Sequence, residues 1–411
     1  MLSEKQKLNT LATLGIDLSR VHDLDILMER ILSEARRFVN ADAGSIYIRE
    51  KDLLHFTYTQ NDTLQQRLAD GEKLIYSTFH MPINKESIAG YVAATGKPLN
   101  LPDVYRIDPS CPYHFSKGFD KKTRYTTQSV LTIPLENHNT DIIGILQIIN
   151  AQDEAKKVIA FSQNDEKMML HFASIAAVAL ERAQMTRAIL LRMIRMAEMR
   201  DPKETGAHVN RVGGYAVELY ERWARIRDLS RKEIDKCRDT LRMAAMLHDV
   251  GKIAISDLIL KKPSRFNEEE YEVMKQHTVM GAQLFSDRQS DFDEAAAQVA
   301  LNHHERWDGN GYPGHVDIKS GKPLKGYGAA HGRPIGKKTE EIPIYGRIVA
   351  LADVYDALSS ARVYKEAWDE SQVLSKIEAE SGRHFDPELV EIFFSSLGIL
   401  RAVQQRYRDE D

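Results

Sequence analysis

The sequence predicts a multidomain chain in which an N-terminal α+β domain is joined by a long helix to a C-terminal all-α domain. Residues 20–183 mix strand-like apolar patterns with amphipathic helical ones. Residues 164–200 contain no glycine or proline, which favours one uninterrupted helix. Residues 201–411 have helical periodicity almost throughout. At 411 residues, the chain is long enough for each domain to bury its own core.

The composition is that of an ordinary globular protein, and it argues against two classes of partner. Apolar residues make up 43% of the chain and charged residues 28%, and the formal net charge is −4. Lysine and arginine are scattered, so no basic stripe predicts binding to a nucleic-acid polymer. No apolar run approaches the ~18 residues of a membrane span. Cys111 and Cys237 fall in different predicted domains, so we expect no disulfide and a cytoplasmic protein.

The α+β domain is predicted element by element from its apolar pattern. A helix is expected over residues 1–19, and Leu24 to Val39 form an amphipathic helix. Ser87 and Gly96 are typical of the start and the end of a short helix. Four further segments predict strands of a sheet that we expect to be antiparallel, with helices flanking it: residues 43–48, 53–58, 130–135 and 142–149.

The connecting helix, residues 164–200, has two interpretations. It either caps the sheet of the first domain and runs on as a linker, or it forms a parallel two-helix seam between two protomers. We favour the homodimer, since an apolar stripe on the helix would otherwise stay exposed. The stripe has a 3–4 spacing and consists of Met168, Ile175, Val178, Met185, Ile189, Met196 and Met199, interrupted by His171, Arg182 and Arg192.

Histidines and carboxylates of the second half carry the chemical signature of the chain. His248 and Asp249 stand side by side in an apolar segment, where a charged side chain is costly to bury unless it is paired or binds a metal. Glu204 and His208 are four residues apart and share one helix face. Further candidates are His277, His303, His304 and Asp353. Nitrogen and oxygen ligands without cysteine suit two or three divalent ions around a reactive water.

His303 and His304 constrain this prediction. Neighbouring residues on a helix diverge by about 100°, so both can be ligands only if they bind different ions or lie at a frayed helix end. For any one of the candidate ligands alone, a hydrogen-bonded polar group in the core is the simpler interpretation. For all the candidates together, one metal centre is a simpler explanation than many independent hydrogen-bonded groups in the core.

Residues 20–183 resemble a GAF domain. The resemblance lies in residues 41–48, in the segment 87–105 and in residues 161–166. GAF domains hold cyclic nucleotides, haem, tetrapyrroles or nothing, so the ligand of this domain is left unassigned. His80, Cys111 and His114 could be read as cofactor ligands, and an ordinary surface role is the simpler interpretation for each.

Residues 201–400 resemble the HD-GYP phosphodiesterases of bacterial cyclic di-GMP signalling. The matching segments are residues 200–211, 247–252, 277, 303–313, 342–358, 362–365 and 385–387. The resemblance implies hydrolysis of cyclic di-GMP to linear pGpG and on to GMP, under regulation by the GAF domain. It implies iron, or next manganese, as the metal. It carries over His208, His248, Asp249, His277, His303, His304 and Asp353 as metal ligands, with Asp249 bridging two ions and Glu204 completing a third site.

The same resemblance implies roles for residues outside the ligand set. Lys252 would stabilise or protonate the departing ribose oxygen, so Lys252 and Asp249 are the expected catalytic residues. Arg362 and Lys365 would bind the non-scissile phosphate. Tyr312 would contact guanine or, within the loop Gly311-Tyr312-Pro313, a partner protein.

Residues 314–341 depart from the family, whose connector at this point is much shorter. We weigh a lid over the cleft, an interaction loop and a disordered surface insertion. Residues 401–411 are expected to be a tail. Two rival functions stay open: a catalytically silent receptor or scaffold that binds metal and nucleotide, and an HD-type hydrolase of another cyclic nucleotide.

Overall fold

The computed structural model describes residues 3–68, 74, 79–198, 206–329, 332–360 and 368–407. They fall into two compact units, Met1–Arg187 and Ala188–Asp411. The first unit mixes helices with one sheet, and the second is helical apart from irregular loops, so the predicted fold class is confirmed. In the described part of the chain, no helix combines the length and the apolar character needed to cross a bilayer.

The first unit is built around a seven-stranded antiparallel sheet with the strand order β3-β2-β1-β6-β5-β4, in which β7 pairs with β6. The four predicted strands are present, and the structure adds three shorter ones. Two to four residues give too short an alternation to be recognised in a sequence. The strands are β1 Ala41–Glu50, β2 Leu53–Asn61, β3 Phe79–Pro82, β4 Leu99–Leu101, β5 Val130–Glu136, β6 Ile142–Gln152 and β7 Val158–Ile159.

Four of the five helices α1 to α5 of the first unit begin at residues whose side chains accept hydrogen bonds from free backbone N–H groups. Ser3 forms a capping box with Gln6, and Asp23 accepts from the backbone of Asp25 and Ile26. At the predicted short helix, Ser87 is the N-cap and Gly96 ends the helix at a φ of 69°. The helices are α1 Glu4–Ser19, α2 Leu24–Phe38, α3 Asp62–Gln65, α4 Ile88–Thr95 and α5 Gly118–Thr123.

The connecting helix α6, Gln163–Glu198, contributes to two cores. Phe172 and Leu180 are buried in the core of the first unit, which lies between the sheet and α1, α2 and α6. Leu190 and Ile194 are buried in the core of the second unit. Another face of α6 exposes large apolar residues: Leu170, Val178, Met185, Ile189, Met193 and Met196. Met199 lies outside the described residues, and the predicted apolar stripe is exposed in the single chain at four of its six described positions, Val178, Met185, Ile189 and Met196.

The second unit is a set of helices packed around one apolar core, with Tyr215 and Tyr355 among its largest buried side chains. Residues 401–406, expected to be part of a tail, are instead the end of its last helix. The helices are α7 Gly206–Ile226, α8 Arg231–Met246, α9 Asp257–Leu260, α10 Glu268–Gln283, α11 Asp291–Asn302, α12 Ile344–Ser359, α13 Glu370–Ala379, α14 Pro387–Ser395 and α15 Leu397–Arg406.

The insertion, residues 314–341, is folded where the structure describes it. Its chain turns back on itself, with isolated bridges between Val316 and Pro323 and between Gly328 and Pro334. The ring of His315 stacks on Tyr327 at a centroid distance of 3.9 Å. The described part, which lacks residues 330 and 331, is therefore not the disordered insertion that was one of the three expectations.

Candidate metal centre

Five segments of the second unit bring seven of the predicted ligands together. The helices α7 and α10 carry His208 and His277, and α12 carries Asp353. The remaining ligands follow the ends of two helices: His248 and Asp249 come after α8, and His303 and His304 come after α11. Each of the seven is buried or half-buried. Residues far apart in the sequence thus share one location in the fold.

The ligand atoms form two groups, within each of which all the atoms lie within 4.8 Å of one another. One group consists of His208, His248 and Asp353. The Asp353 Oδ1 atom lies 3.6 Å from the Nε2 of His208 and 3.9 Å from the Nε2 of His248. The other group consists of Asp249, His277, His303 and His304. Each group offers a carboxylate and at least two imidazoles, a ligand set suited to a divalent ion.

The Asp249 carboxylate lies between the two groups. Its Oδ1 atom is 3.1 Å from the Nε2 of His277 and 3.4 Å from the Nε2 of His303. Its Oδ2 atom is 3.3 Å from the Nε2 of His248 and 2.7 Å from the Lys252 ammonium. The two oxygens of one side chain therefore face different histidines, which is the arrangement that a bridging carboxylate requires.

Backbone carbonyls determine which nitrogen three of the histidines present to the site. The Nδ1 atoms lie 2.8 Å from the Ala245 carbonyl for His248 and 2.7 Å from the Met274 carbonyl for His277. For His303 the carbonyl is that of Ala300, at 3.0 Å. A carbonyl only accepts, so Nδ1 carries the hydrogen and Nε2 of the neutral ring carries a lone pair directed at the centre.

These lone pairs provide a test of whether the residues fit a metal. The Nε2 atoms of His277 and His303 are 3.4 Å apart, and both face the Oδ1 atom of Asp249. That oxygen makes no hydrogen bond among the described residues. Lone pairs and a carboxylate oxygen directed at one point repel one another unless a cation lies between them. The residues therefore fit a bound divalent ion.

Electrostatics of the cluster favour the ionisation states that bind metal. Burial raises the pKa of Asp249, but Lys252 and His248 outweigh this effect, and the pKa lies well below its usual range. Burial lowers the pKa of His303, and the nearby Asp249 offsets this only in part. Burial and then His303 hold the pKa of His304 well below its usual range. The aspartate is thus ionised and these imidazoles are neutral, as ligands must be.

A close contact between two glycines places Asp249 beside α10. A Cβ atom on Gly251 would lie 1.9 Å from the His277 carbonyl oxygen and 2.4 Å from the Gly281 nitrogen. Only glycine allows the turn after Asp249 to approach α10 so closely. The sequence analysis did not identify this role, since no local pattern shows which segment packs against a glycine.

His303 and His304 lie directly after the end of α11, and both belong to the group that contains Asp249 and His277. One ring nitrogen of each lies within 4.8 Å of the other ligand atoms of that group. This position agrees with the frayed-end alternative, while the ion that each histidine would bind stays a prediction.

Tyr312 lies against the histidine ligands. Its ring stacks on His304 at a centroid distance of 4.7 Å and an interplanar angle of 26°. Its backbone N–H donates to the His304 carbonyl at 3.1 Å. The ammonium of Lys275 lies 5.5 Å from its ring centre. The tyrosine therefore borders the centre, while its predicted contact with guanine or a partner protein stays a prediction.

The sequence analysis missed two buried residues that flank the histidine pair. Glu305 accepts from the backbone N–H of Gly314 at 2.6 Å and of Lys337 at 3.2 Å. The side chain of Asn302 accepts from the Lys337 ammonium at 2.6 Å. Both ends of the insertion are thus attached to residues adjacent to His303 and His304. A carboxylate directly after two candidate ligands was the available signal.

The structure describes only some of the remaining predicted residues. Glu204, Arg362 and Lys365 lie outside the described residues. In the first unit, the His80 ring packs against His55 at 4.9 Å, and His114 is exposed. Cys111 is a free, half-buried cysteine. Neither group found among the described residues includes these three residues of the first unit.

Comparison with protein families defines the class of this protein. A GAF domain model matches residues 23–180, and an HD domain model matches residues 205–358. A second HD domain model matches residues 328–389. The chain is therefore a two-domain protein with an N-terminal GAF domain followed by an HD domain.

The chain is also similar to curated proteins that are named as phosphodiesterases. The chain is 37% identical over 190 residues to the 3'3'-cGAMP-specific phosphodiesterase 2 of Vibrio cholerae, which covers 46% of this chain and 31% of the relative. It is 34% identical over 295 residues to a cyclic di-GMP phosphodiesterase of the same organism, covering 71% of this chain and 52% of the relative. It is 38% identical over 216 residues to the cyclic di-GMP phosphodiesterase of Thermotoga maritima, and the match covers 53% of this chain and 50% of the relative.

All three relatives are named as phosphodiesterases, of cyclic di-GMP or of 3'3'-cGAMP, and the family model that matches the second unit is that of an HD domain. The chain spans about half the length, or less, of these three relatives. The similarity to a GAF domain and an HD domain holds for the residues matched, and a divalent metal fits the cluster of histidines and aspartates.

Proposed function

We propose that the chain is a metal-dependent phosphodiesterase that hydrolyses cyclic di-GMP to linear pGpG and on to GMP, under regulation by its GAF domain. The observation that carries the proposal is the Asp249 carboxylate, whose two oxygens face different histidines of a buried cluster. Relatives that are 34% and 38% identical are named cyclic di-GMP phosphodiesterases, which supports the choice of substrate.

The proposed ligands would hold two ions. His208, His248 and Asp353 would hold one, and His277, His303 and His304 would hold the other, with the Asp249 carboxylate available to both. Iron, and next manganese, suits a set of imidazole and carboxylate ligands without thiolate. Glu204 is proposed to complete a third metal site. A third ion would extend hydrolysis from pGpG to GMP.

Other residues of the chain have proposed roles in catalysis and in substrate binding. When bound, the divalent ions supply an activated water and neutralise phosphoryl oxygens. The Lys252 ammonium, held 2.7 Å from Asp249, is proposed to donate a proton to the departing ribose oxygen. Arg362 and Lys365 are proposed to bind the non-scissile phosphate, and Tyr312 to contact a guanine base from its position on His304.

A second candidate function is hydrolysis of another cyclic dinucleotide. The relative named 3'3'-cGAMP-specific phosphodiesterase 2 is 37% identical to the chain over 190 residues. The metal centre does not distinguish the two substrates, since it acts on the phosphodiester that they share. A silent receptor is a weaker alternative, because every predicted ligand among the described residues lies in the cluster.

We also propose a homodimer formed through α6. Val178, Met185, Ile189 and Met196 recur with coiled-coil spacing, and each is between 50% and 64% exposed in the single chain. A second copy of the same helix buries this stripe against an identical one. A cytoplasmic location stays a prediction, and the GAF ligand stays unassigned.

The decisive experiment combines metal analysis with product identification. Protein purified without oxygen and loaded with iron or manganese is expected to convert cyclic di-GMP to pGpG and GMP. The variants His248→Ala and Asp249→Ala should lose at least about a thousandfold in turnover, because each removes a ligand. Competition between cyclic di-GMP and 3'3'-cGAMP then ranks the two substrates. Unchanged turnover in both variants would refute the proposal.

A further inference from the structure

His208 differs from the other buried histidine ligands in the group that its Nδ1 atom contacts. The Nδ1 atoms of His248, His277 and His303 lie against backbone carbonyls. The Nδ1 atom of His208 instead lies 2.8 Å from the Oδ2 atom of Asp356, a fully buried carboxylate one helical turn beyond Asp353. A carboxylate accepts, so it fixes the hydrogen on Nδ1 and leaves Nε2 directed at Asp353.

Asp356 is in turn held by a buried arginine. The Nε atom of Arg211 donates to Oδ1 of Asp356 at 2.6 Å, and its Nη2 atom donates to Oδ2 at 2.9 Å. Both side chains are at most 3% exposed. A buried carboxylate is tolerated only with a partner of this kind, and a bidentate guanidinium also fixes its orientation. The geometry of His208 therefore depends on the placement of Arg211.

Arg211 connects this pair to the C-terminal end of the unit. Its Nη1 atom donates to the Tyr407 carbonyl at 2.9 Å. The Tyr407 hydroxyl accepts from Arg242 at 3.0 Å. Nearby, α15 packs closely on α7, where a Cβ atom on Gly214 would lie 2.6 Å from Val403. Residues at the end of α15 thus help to position an arginine that holds the partner of a proposed metal ligand.

We infer that Asp356 and Arg211 are positioning residues for the His208 site, and that the Tyr407 carbonyl is part of the same support. Asp356 sets the tautomer and orientation of His208, and Arg211 sets Asp356 through two hydrogen bonds. The inference rests on the proposed metal centre but not on its substrate. It predicts an effect on one ion and none on the other, because His277, His303 and His304 have different supports.

The test measures manganese binding to the full chain by calorimetric titration without oxygen. Asp356→Asn is expected to lower the affinity for one of the two manganese ions about 10- to 100-fold. The affinity for the other ion should stay unchanged. The matched control is Asp386→Asn, which removes another buried aspartate that is paired with an arginine but has no histidine contact. The control is expected to keep both affinities.

A second variant keeps the inference testable if Asp356→Asn does not fold. Ending the chain after Gln404 removes the Tyr407 carbonyl without changing any buried side chain of the site. This shortened chain should bind the same manganese ion about tenfold more weakly. Full hydrolysis at saturating manganese, with a raised manganese requirement, is expected in both variants.

The outcomes separate this inference from the proposed function. Two ions bound with unchanged affinity in Asp356→Asn and in the shortened chain would overturn the inference. Equal loss of both ions would also overturn it, because that result indicates general unfolding. A wild-type chain that binds two ions but leaves cyclic di-GMP intact would contradict only the proposed activity.

Discussion

At the scale of single residues, the site depends on what each polar side chain faces. The two oxygens of Asp249 face different histidines, and its pKa is held well below the usual range despite burial. His303 and His304 meet at one point because they follow the end of α11. Lys252 lies against Asp249 with its side chain 20% exposed, so it reaches solvent and the centre together.

The position of Lys252 gives a prediction about catalysis. Lys252→Met removes the ammonium but keeps most of the apolar stem, so turnover of cyclic di-GMP should fall about 10²- to 10⁴-fold. The number of bound metal ions should stay the same, because the lysine is not a ligand. Metal analysis and steady-state kinetics measure the two effects separately. Lys261→Met, at an exposed pair with Asp257, is the control and should keep full activity.

A different result would change the role of the lysine. Loss of metal together with activity in Lys252→Met would mean that the ion pair mainly holds Asp249 in place. Full activity would remove Lys252 from the mechanism.

At the scale of elements, helix ends and close contacts place the ligands. The turn after α8 reaches α10 through Gly251 and Gly281, and the insertion is attached through Glu305 and Asn302. These contacts join segments that are far apart in the sequence. They help to explain why ligands on five segments converge.

The contact at Gly251 can be tested by adding one methyl group. Gly251→Ala places a Cβ atom 1.9 Å from a backbone oxygen, so the turn must move away from α10. We expect a loss of about 1–3 kcal/mol in the free energy of unfolding, and weaker manganese binding, since Asp249 moves with the turn. Urea unfolding and metal titration measure the two effects.

The matched control is Gly398→Ala in α15, where an added Cβ atom meets nothing within 4 Å. Alanine favours a helix over glycine, so this variant should be unchanged or slightly more stable. If both variants had the same free energy of unfolding and the same manganese affinity, the close contact at Gly251 would not be needed for stability or for metal binding.

The exposed stripe of α6 leads to a prediction about assembly. The double variant Met185→Glu and Ile189→Glu introduces like charges at the proposed seam, so it should shift the dimer to monomer. Light scattering coupled to size-exclusion chromatography measures the mass. Leu258→Glu makes the same kind of change at a residue that is 85% exposed outside α6, and it should leave the mass unchanged. A wild-type chain that is already monomeric would refute the seam.

At the scale of the whole molecule, two units with separate cores share one helix. The first unit buries a sheet against helices, and the second buries all the described metal-ligand candidates. All three tryptophans, Trp223, Trp307 and Trp368, belong to the second unit. Their fluorescence therefore reports on the unit that contains the metal centre.

Metal removal should destabilise the second unit. An ion present at 100 times its dissociation constant stabilises the folded state by about 2.7 kcal/mol. For a unit of this size, chelation should lower the midpoint of the tryptophan-detected thermal transition by about 5–10 °C. The Asp249→Ala variant, which lacks the bridging ligand, should respond much less to the chelator. An equal shift in both proteins would indicate metal bound elsewhere.

The sequence predicted the candidate metal ligands better than it predicted the residues that hold them in place. Histidines and aspartates are visible as residue types, so seven ligands were named that the structure brings into two groups. Asp356, Arg211 and Glu305 were missed because a buried hydrogen bond between distant segments has no local pattern. The strands β3, β4 and β7 were missed because each is too short to show alternation.

The sequence by itself determined the fold class of both domains and the chemical identity of the proposed ligands. These properties follow from periodicity and residue type, which are local. Only the tertiary structure decided that His303 and His304 join one group, that Asp249 faces both groups and that the insertion is attached beside them. Those are distances between segments far apart in the chain, and they are fixed by packing contacts such as that between Gly251 and Gly281.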